Sequence, residues 1–303
     1  MVLYKVYAIV VTYNGSKWIN KCFGSLLNST IPLKVLAIDN LSTDGTPDLI
    51  RSKFPSVQVI EAGQNLGFGK ANNIGLKIAL EEHADYVFLL NQDAWIEPET
   101  IEKLFNVQKE HPEYNLLSPI HLNANGTAID LFFQNYLSNA FTPGFYSDLF
   151  LNQTKIIYET KFVNAAGWFI TQKCLKEIGG FDPIFQHYGE DEDYILRMQK
   201  KSLKVGVVIS SILYHDRVQD GQRNNMYEKN EVFKQAILTI RKQKHKPSRF
   251  FLFRRVVYNY FGLYFVYLGR NNRLKALITM DIIFLKYYKN NLFNSQKVLL
   301  NNN

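Results

Sequence analysis

Largely apolar stretches recur through the first third of the chain, at Val6–Val11, Leu33–Ile38, Val57–Ile60 and Tyr86–Leu90. Their near-continuous hydrophobicity is that of strands covered on both faces, as in a parallel sheet. Between them the apolar positions change to helical spacing. Trp18, Ile19, Cys22, Phe23 and Leu26 predict a helix starting at Ser16, Pro47 opens another to about Phe54, and Ala71, Ile74, Ile78 and Ala79 mark a third from Lys70 to Glu82. The alternation β-α-β-α-β-α-β with short loops predicts a nucleotide-binding sheet.

Beyond Trp95 the rhythm changes. Pro98 begins a helix carrying Ile101, Leu104 and Phe105, whereas residues 115 to 165 break into short apolar pieces that yield no assignment. A strand is expected over Phe162–Thr171, then a helix Gln172–Ile178 capped by Thr171 and stopped by Gly179-Gly180. A helix Glu190–Lys201 and a strand Val205–Ile209 follow.

Each of the first four strands ends in polar side chains: Thr12, Tyr13 and Asn14; Asp39 and Asn40; Glu61 to Asn65; and Asn91, Gln92 and Asp93. Ligands of open α/β sheets bind at that edge, so a shared site accounts for the four together better than four separate caps. An acid such as Asp93 is placed there to hold a divalent cation against a phosphate. The loop Gly63–Lys70 fits neither a Walker A loop nor Gly-x-Gly-x-x-Gly, which speaks against an ATPase or a dinucleotide enzyme. It still gathers Asn65, Gly67, Lys70, Asn72 and Asn73 at a helix start, where amides and a cation favour an anion.

The chain of 303 residues is 47% hydrophobic and 20% charged, a folded globular composition. Two distant cysteines, Cys22 and Cys174, fit a reducing cytosol, with no signal-peptide layout and no apolar run long enough to span a bilayer. The net charge of +8 is uneven: from Arg241 onward 13 Lys and Arg face one acid, Asp281 (+12), leaving −4 for the rest. The basicity belongs to the tail, and nucleic-acid binding by the whole protein is not implied.

Val10-Val11-Thr12-Tyr13-Asn14, Ile38-Asp39-Asn40-x-Ser42-x-Asp44-Gly45-Thr46, Asn65-x-Gly67-Phe68-Gly69-x-Ala71-x-Asn73 and Leu90-Asn91-Gln92-Asp93 together resemble the family 2 inverting glycosyltransferases of GT-A fold. The resemblance is closest to the rhamnosyltransferase-like branch that builds bacterial surface polysaccharides. Gly179-Gly180-Phe181-Asp182 and Tyr188–Tyr194 look like that family's acceptor-side signature. The resemblance covers about residues 5 to 220. It implies a GT-A-like α/β catalytic domain over residues 1–220, with a nucleotide-sugar half (1–95) and an acceptor half (96–220), while the basic-aromatic composition beyond it points to a helical extension over 221–303.

It also implies the roles. Thr12, Tyr13, Asn14, Asp39, Asn40, Asn65, Gly67, Lys70, Asn91 and Gln92 would bind a nucleotide-diphosphate sugar. Asp93 matches the last acid of the family's Asp-x-Asp motif, with Asn91 in place of the first, so Mn²⁺ or Mg²⁺ would be held largely through the donor's phosphates. His215 matches a position where some relatives supply a further ligand; a lone histidine at a strand end also serves structure. Four carboxylates, Glu190 to Asp193, open one helix and fan across roughly 300°, so they cannot share one target. The family pattern selects Asp191 as the base that deprotonates the acceptor, with Glu190 second; Asp193 is expected to pair with Arg197. Trp95 and Trp168 are candidates for stacking on a sugar, or for the core, and Gly167 would let backbone approach a saccharide acceptor, free or lipid-linked.

The tail from Phe250 to Tyr267 alternates aromatic and basic residues, as an interfacial helix on an anionic membrane does, or as a packed helical subdomain does. The expected location is cytoplasmic, peripheral at the inner face of the membrane. Two rivals are a nucleotidyltransferase, which would want a basic glycine-rich N-terminal loop, and a non-catalytic module that binds a nucleotide sugar or a membrane.

Overall fold

The computed structural model describes residues 4–185, 188–217, 238, 241 and 300. Contacts divide the chain into one unit comprising Met1–Gly221 with Lys297–Asn303, and a second, Gln222–Gln296. The basic-aromatic tail lies outside the described residues, apart from those three isolated positions.

The first unit is built on a nine-stranded mixed sheet. In chain order the elements are β1 (Val6–Thr12), α1 (Ile19–Leu27), β2 (Leu33–Asp39), α2 (Thr46–Lys53), β3 (Gln58–Glu61), α3 (Phe68–Glu81), β4 (Tyr86–Asn91), β5 (Ala94–Ile96), α4 (Thr100–Glu110) and β6 (Tyr114–Asn123). Then come α5 (Phe133–Tyr136), α6 (Phe145–Phe150), β7 (Ile157–Glu159), β8 (Gly167–Thr171), α7 (Gln172–Ile178), α8 (Glu190–Lys200) and β9 (Lys204–His215). Strand order is β3-β2-β1-β4-β8-β6-β9-β5, with β7 also on β9. The parallel part of the expectation holds: β2, β1 and β4 run in register, Thr12 beside Asp39 and Val11 beside Asn91, so the polar strand ends line up on one edge.

The unbroken hydrophobicity of these strands has a two-sided cause. Along β1, Tyr7 and Ile9 join a core with α3, α7 and α8, while Val6, Ala8 and Val10 join the opposite core with α1, α2 and α4. Successive side chains point to opposite faces, and both faces are covered. Helix ends also follow the sequence signals. Thr171 Oγ1 accepts from Cys174 N (3.2 Å) at the start of α7, and Gly179 closes it with φ 77°.

Several expectations need correction. The helix expected from Ser16 starts at Ile19, because residues 16–18 form turns. The unassigned stretch after residue 115 holds the ten-residue strand β6. Its polar interruptions Asn115, Ser118 and His121 are buried, and Pro119 sits at a break in register with β9, a place where a strand tolerates proline. The strand expected over Phe162–Thr171 begins only at Gly167. β9 does not stop at Ile209 but continues through Ser210-Ser211 to His215, absorbing those residues in the same irregularity. None of the helices among the described residues is long and apolar enough to cross a membrane.

Candidate active site

At the carboxyl ends of β1 to β4 the side chains form one hydrogen-bonded network. Asp39, nearly inaccessible, accepts from Thr12 Oγ1 (2.9 Å), Ser42 N (2.9 Å) and Ser42 Oγ (2.6 Å). Asn40 N donates to Thr12 O (2.7 Å), while Asn40 Nδ2 donates to Asn65 Oδ1 (3.0 Å) and Asn40 Oδ1 accepts from Leu66 N (2.7 Å). Asn65 Oδ1 also accepts from Gly67 N (3.0 Å), which shapes the entry to α3. Asn14, at φ 47°, accepts from Thr43 N (2.8 Å), and its own N–H donates to Ser42 Oγ (2.9 Å). Asparagine tolerates that left-handed conformation better than most side chains. Gln92 closes the circuit by pairing both its amide atoms with the backbone of Tyr13, at 2.9 and 3.0 Å. Lys70 lies half-buried in the first turn of α3. Thus Thr12, Tyr13, Asn14, Asp39, Asn40, Asn65, Gly67 and Gln92 are joined, many of them by bonds within the edge itself.

Asn91 ends β4, its N–H donating to Ala166 O (3.0 Å), and Asp93 follows in the turn to β5. Strand β5 pairs with β9 so that Ala94 faces His215. This brings His215 Nε2 to 3.3 Å from Asp93 Oδ1; His215 is buried and the Asp93 side chain is 22% exposed. Two ligand atoms each about 2.1 Å from one cation, at an ordinary coordination angle, stand roughly 3.0–3.4 Å apart. The pair therefore fits one divalent ion from the protein side. Among the described residues no cluster of three or more His, Cys, Asp or Glu completes a cage, so the remaining ligands would come from substrate and water.

Behind His215 lies a set of residues that sequence reading passed over. His121, fully buried, is 6.3 Å from His215 ring to ring, stacks on Phe133 at 4.1 Å and contacts Ser118 Oγ through Nε2 (3.2 Å). Burial drives its pKa well below the usual histidine range, with His215 and Arg217 adding to the shift and Asp130 opposing it. Asp130, also fully buried, caps the start of α5 through Phe133 N (2.9 Å) and forms a two-point ion pair with Arg217, whose guanidinium lies 4.4 Å over Phe132. No local motif announces Asp130. Arg217 stands two residues after His215, and that adjacency was the available signal.

The acids expected on the acceptor side all lie on α8. Its four acids separate as the helical fan requires. Glu190 is buried, and a Cβ placed on Gly69 of α3 would stand 3.5 Å from Glu190 Cβ, so this residue backs onto the donor-side helix. Asp193 is fully buried and pairs with Arg197 at 2.8 Å, as its spacing predicts. Asp191 is half-buried, its Oδ1 accepting from Glu192 N (2.8 Å). After burial, the Asp191 charge is the main cause that raises the Tyr136 hydroxyl, so Asp191 acts electrostatically on the end of α5.

Two acceptor-side expectations are corrected. Trp168 is fully inaccessible, stacked on Phe181 (5.9 Å) and tilted against Tyr194 (5.5 Å), so it is core and not a sugar platform. Gly167 permits a close approach, but of protein: a Cβ there would lie 2.4 Å from Leu213 Cδ1. Gly167→Ala is therefore expected to destabilise the fold by about 1–3 kcal/mol through overpacking, read by urea denaturation. A loss of transfer at unchanged stability would return Gly167 to the acceptor site. Trp95 is half-buried, stacking on Tyr214 (6.0 Å) with Lys21 Nζ 4.2 Å over its ring.

The parallel strand-end edge, the Asp93–His215 pair and the acid-rich start of α8 sit on a mixed sheet of GT-A type. Residues 7–164, just over half the chain, match glycosyl transferase family 2, and the chain belongs to that family of inverting glycosyltransferases. It is 26% identical over 239 residues to the N-acetylglucosaminyl-diphospho-decaprenol L-rhamnosyltransferase of Mycobacterium tuberculosis, covering 71% of this chain and 77% of that one. With the dTDP-rhamnosyl transferase RfbF of Shigella flexneri it shares 22% over 214 residues, 69% of this chain and 68% of the other. Among solved structures, Staphylococcus aureus TarS 1–349 in complex with UDP-GlcNAc superposes with a TM-score of 0.59 at 17% identity, over 91% of this chain and 79% of that one. The mannosyltransferase PcManGT of Pyrobaculum calidifontis, in complex with GDP-Man and Mn²⁺, gives 0.58 at 17%, over 94% and 75%. These structural likenesses speak to the fold.

Proposed function

We propose that this glycosyltransferase takes a nucleotide-diphosphate sugar at the β1–β4 edge and passes the sugar to a saccharide hydroxyl presented near the start of α8, with inversion at the anomeric carbon. The observation that carries the reading is the convergence of Asp93 with His215 beside a network joining all four parallel strand ends. Thr12, Tyr13, Asn14, Asp39, Asn40, Asn65, Gly67, Lys70, Asn91 and Gln92 would line the donor; Asp39 and Asn40 mainly hold its walls in place. Trp95, half-buried, is one aromatic side chain that would meet an acceptor sugar.

Asp93 and His215 would hold Mn²⁺ or Mg²⁺, whose charge stabilises the departing diphosphate. Asp191 takes the proton of the attacking hydroxyl as the new C–O bond forms. The bonding pair of the old glycosyl bond leaves with the nucleoside diphosphate. A relative's name includes a diphospho-decaprenol acceptor, which supports a lipid-linked saccharide here.

The test is a thermal-shift screen of nucleotide sugars with and without Mn²⁺ or Mg²⁺. One nucleotide class is expected to stabilise the protein, more strongly with metal. Asp93→Ala should remove the metal-dependent part and weaken metal-assisted donor binding at least about tenfold. Equal shifts from every ligand, or none, would sink the donor site.

A further inference from the structure

The described residues expose ten large hydrophobic side chains, and five of them fall between residues 146 and 156: Tyr146, Leu149, Phe150, Leu151 and Ile156. Phe150 is 85% exposed, Leu151 57% and Ile156 55%. Scattered exposed leucines need no explanation, but a cluster of this kind on one short protrusion does.

The protrusion is tied down, not frayed. Phe145, at the base of α6, is buried edge-on against Tyr158 (5.2 Å). Asp148 accepts from Tyr158 Oη (3.0 Å) and pairs with Lys155 (3.1 Å), while Gln153 N and Leu151 N close the turn on Asp148 O and Ser147 O. Between Ala140 and Ile157 the only charged residues are this Asp148 and Lys155. Their pairing, together with the Tyr158 hydroxyl, holds the Asp148 carboxyl below its usual range and leaves the segment without net charge, with Ser147, Asn152, Gln153 and Thr154 exposed beside the apolar side chains. Lys161, five residues beyond Ile156, is exposed, and its Nζ donates to Ala140 O (2.9 Å). An exposed apolar cluster with lysine beside it is an arrangement that enters the headgroup–acyl boundary of a bilayer.

We propose that residues 146–156 are a membrane-inserting tip, and that its occupant is an anionic lipid bilayer. Charge selects the lipid over a second copy of the chain. The protein carries +8 overall and +12 from Arg241 onward, so copies repel each other whereas an anionic leaflet attracts them. Size selects it too. Five side chains on eleven residues fall well short of the ~20–30 residues a side of a stable protein interface, a limit that insertion into lipid does not share. The inference stands apart from the transfer reaction, since binding is read without turnover.

The experiment uses the full chain carrying Phe150→Cys, labelled with an environment-sensitive fluorophore. Cys22 and Cys174 are fully buried; burial pushes the Cys174 thiol up to about 12 and Cys22 further, so neither competes for label in the folded protein. Vesicles of phosphatidylglycerol and phosphatidylcholine should shift the emission at position 150 to the blue, and pure phosphatidylcholine much less. In flotation at raised salt, which screens the basic tail, Phe150→Ser with Leu151→Ser should lower vesicle partitioning about tenfold or more. Unchanged partitioning overturns the proposal and assigns binding to the tail. So does a label that stays unmoved by vesicles, or one already blue-shifted without them because a second copy or the C-terminal residues cover the tip.

Discussion

Asp191→Asn is expected to lower the turnover number by ~10²–10⁴-fold, the usual contribution of a positioned general base, while nucleotide binding stays near that of the unaltered protein. The substitution is nearly isosteric and keeps the Oδ1 acceptor that Asp191 offers to Glu192 N, so the first turn of α8 should survive. What it removes is the capacity to take a proton. Asp191 is proposed as the base because of how α8 disposes the acids on either side of it. Asp193 is committed to Arg197, and Glu190 is buried against α3, whereas Asp191 remains half-buried near Tyr136. Steady-state kinetics over pH supply the check. The limb of the profile that rises as the base ionises should vanish in the variant, with the donor KM little altered. Near-normal turnover by Asp191→Asn would remove this residue from the mechanism and turn attention to Glu190.

The second large effect is on stability. Arg197 is almost wholly buried and donates to Asp193 Oδ2, Ile178 O and Gly180 O, each at 2.8 Å. It thereby fastens α8 to the end of α7, with the Tyr194 ring 5.0 Å from the guanidinium. Asp193→Ala leaves that cation buried without its carboxylate, a change that costs about 3–5 kcal/mol. In a unit of this size the melting temperature should fall by roughly 10 °C. Asp193→Asn, which keeps a hydrogen bond but no charge, should lie between. A loss under about 1 kcal/mol in urea titrations would mean that water reaches Arg197, contrary to its burial. Because the pair sits one turn below Asp191, activity should fall along with stability.

The sequence was most legible where chemistry and local spacing coincide. Thr12, Asp39, Asn65 and Asp93 each follow an apolar strand, so their shared edge could be read before any coordinates, and the spacing of Asp193 and Arg197 foretold their pairing. Legibility failed where long-range contacts overrule local pattern. β6 contains Asn115, Ser118, Pro119 and His121, which looks like loop until partners on both sides bury it. Asp130 and His121 acquire meaning only because β6 and β9 run side by side, bringing residues distant in sequence around His215. Trp168 stood open between a sugar platform and the core, and the packing of Phe181 and Tyr194 on it decides for the core.

Strand β8 lies between β4 and β6 and is antiparallel to both, with Leu90 beside Gly167 and Leu117 beside Phe169. A segment from late in the chain therefore fills the centre of the sheet that the first ninety residues begin. Cut after Ile96, the N-terminal piece would keep its four parallel strands but present the whole length of β4 as a bare edge, inviting intermolecular pairing. During synthesis the nascent chain passes through that state until β8 emerges. The free side of β4 is thus covered only once β8 has been made.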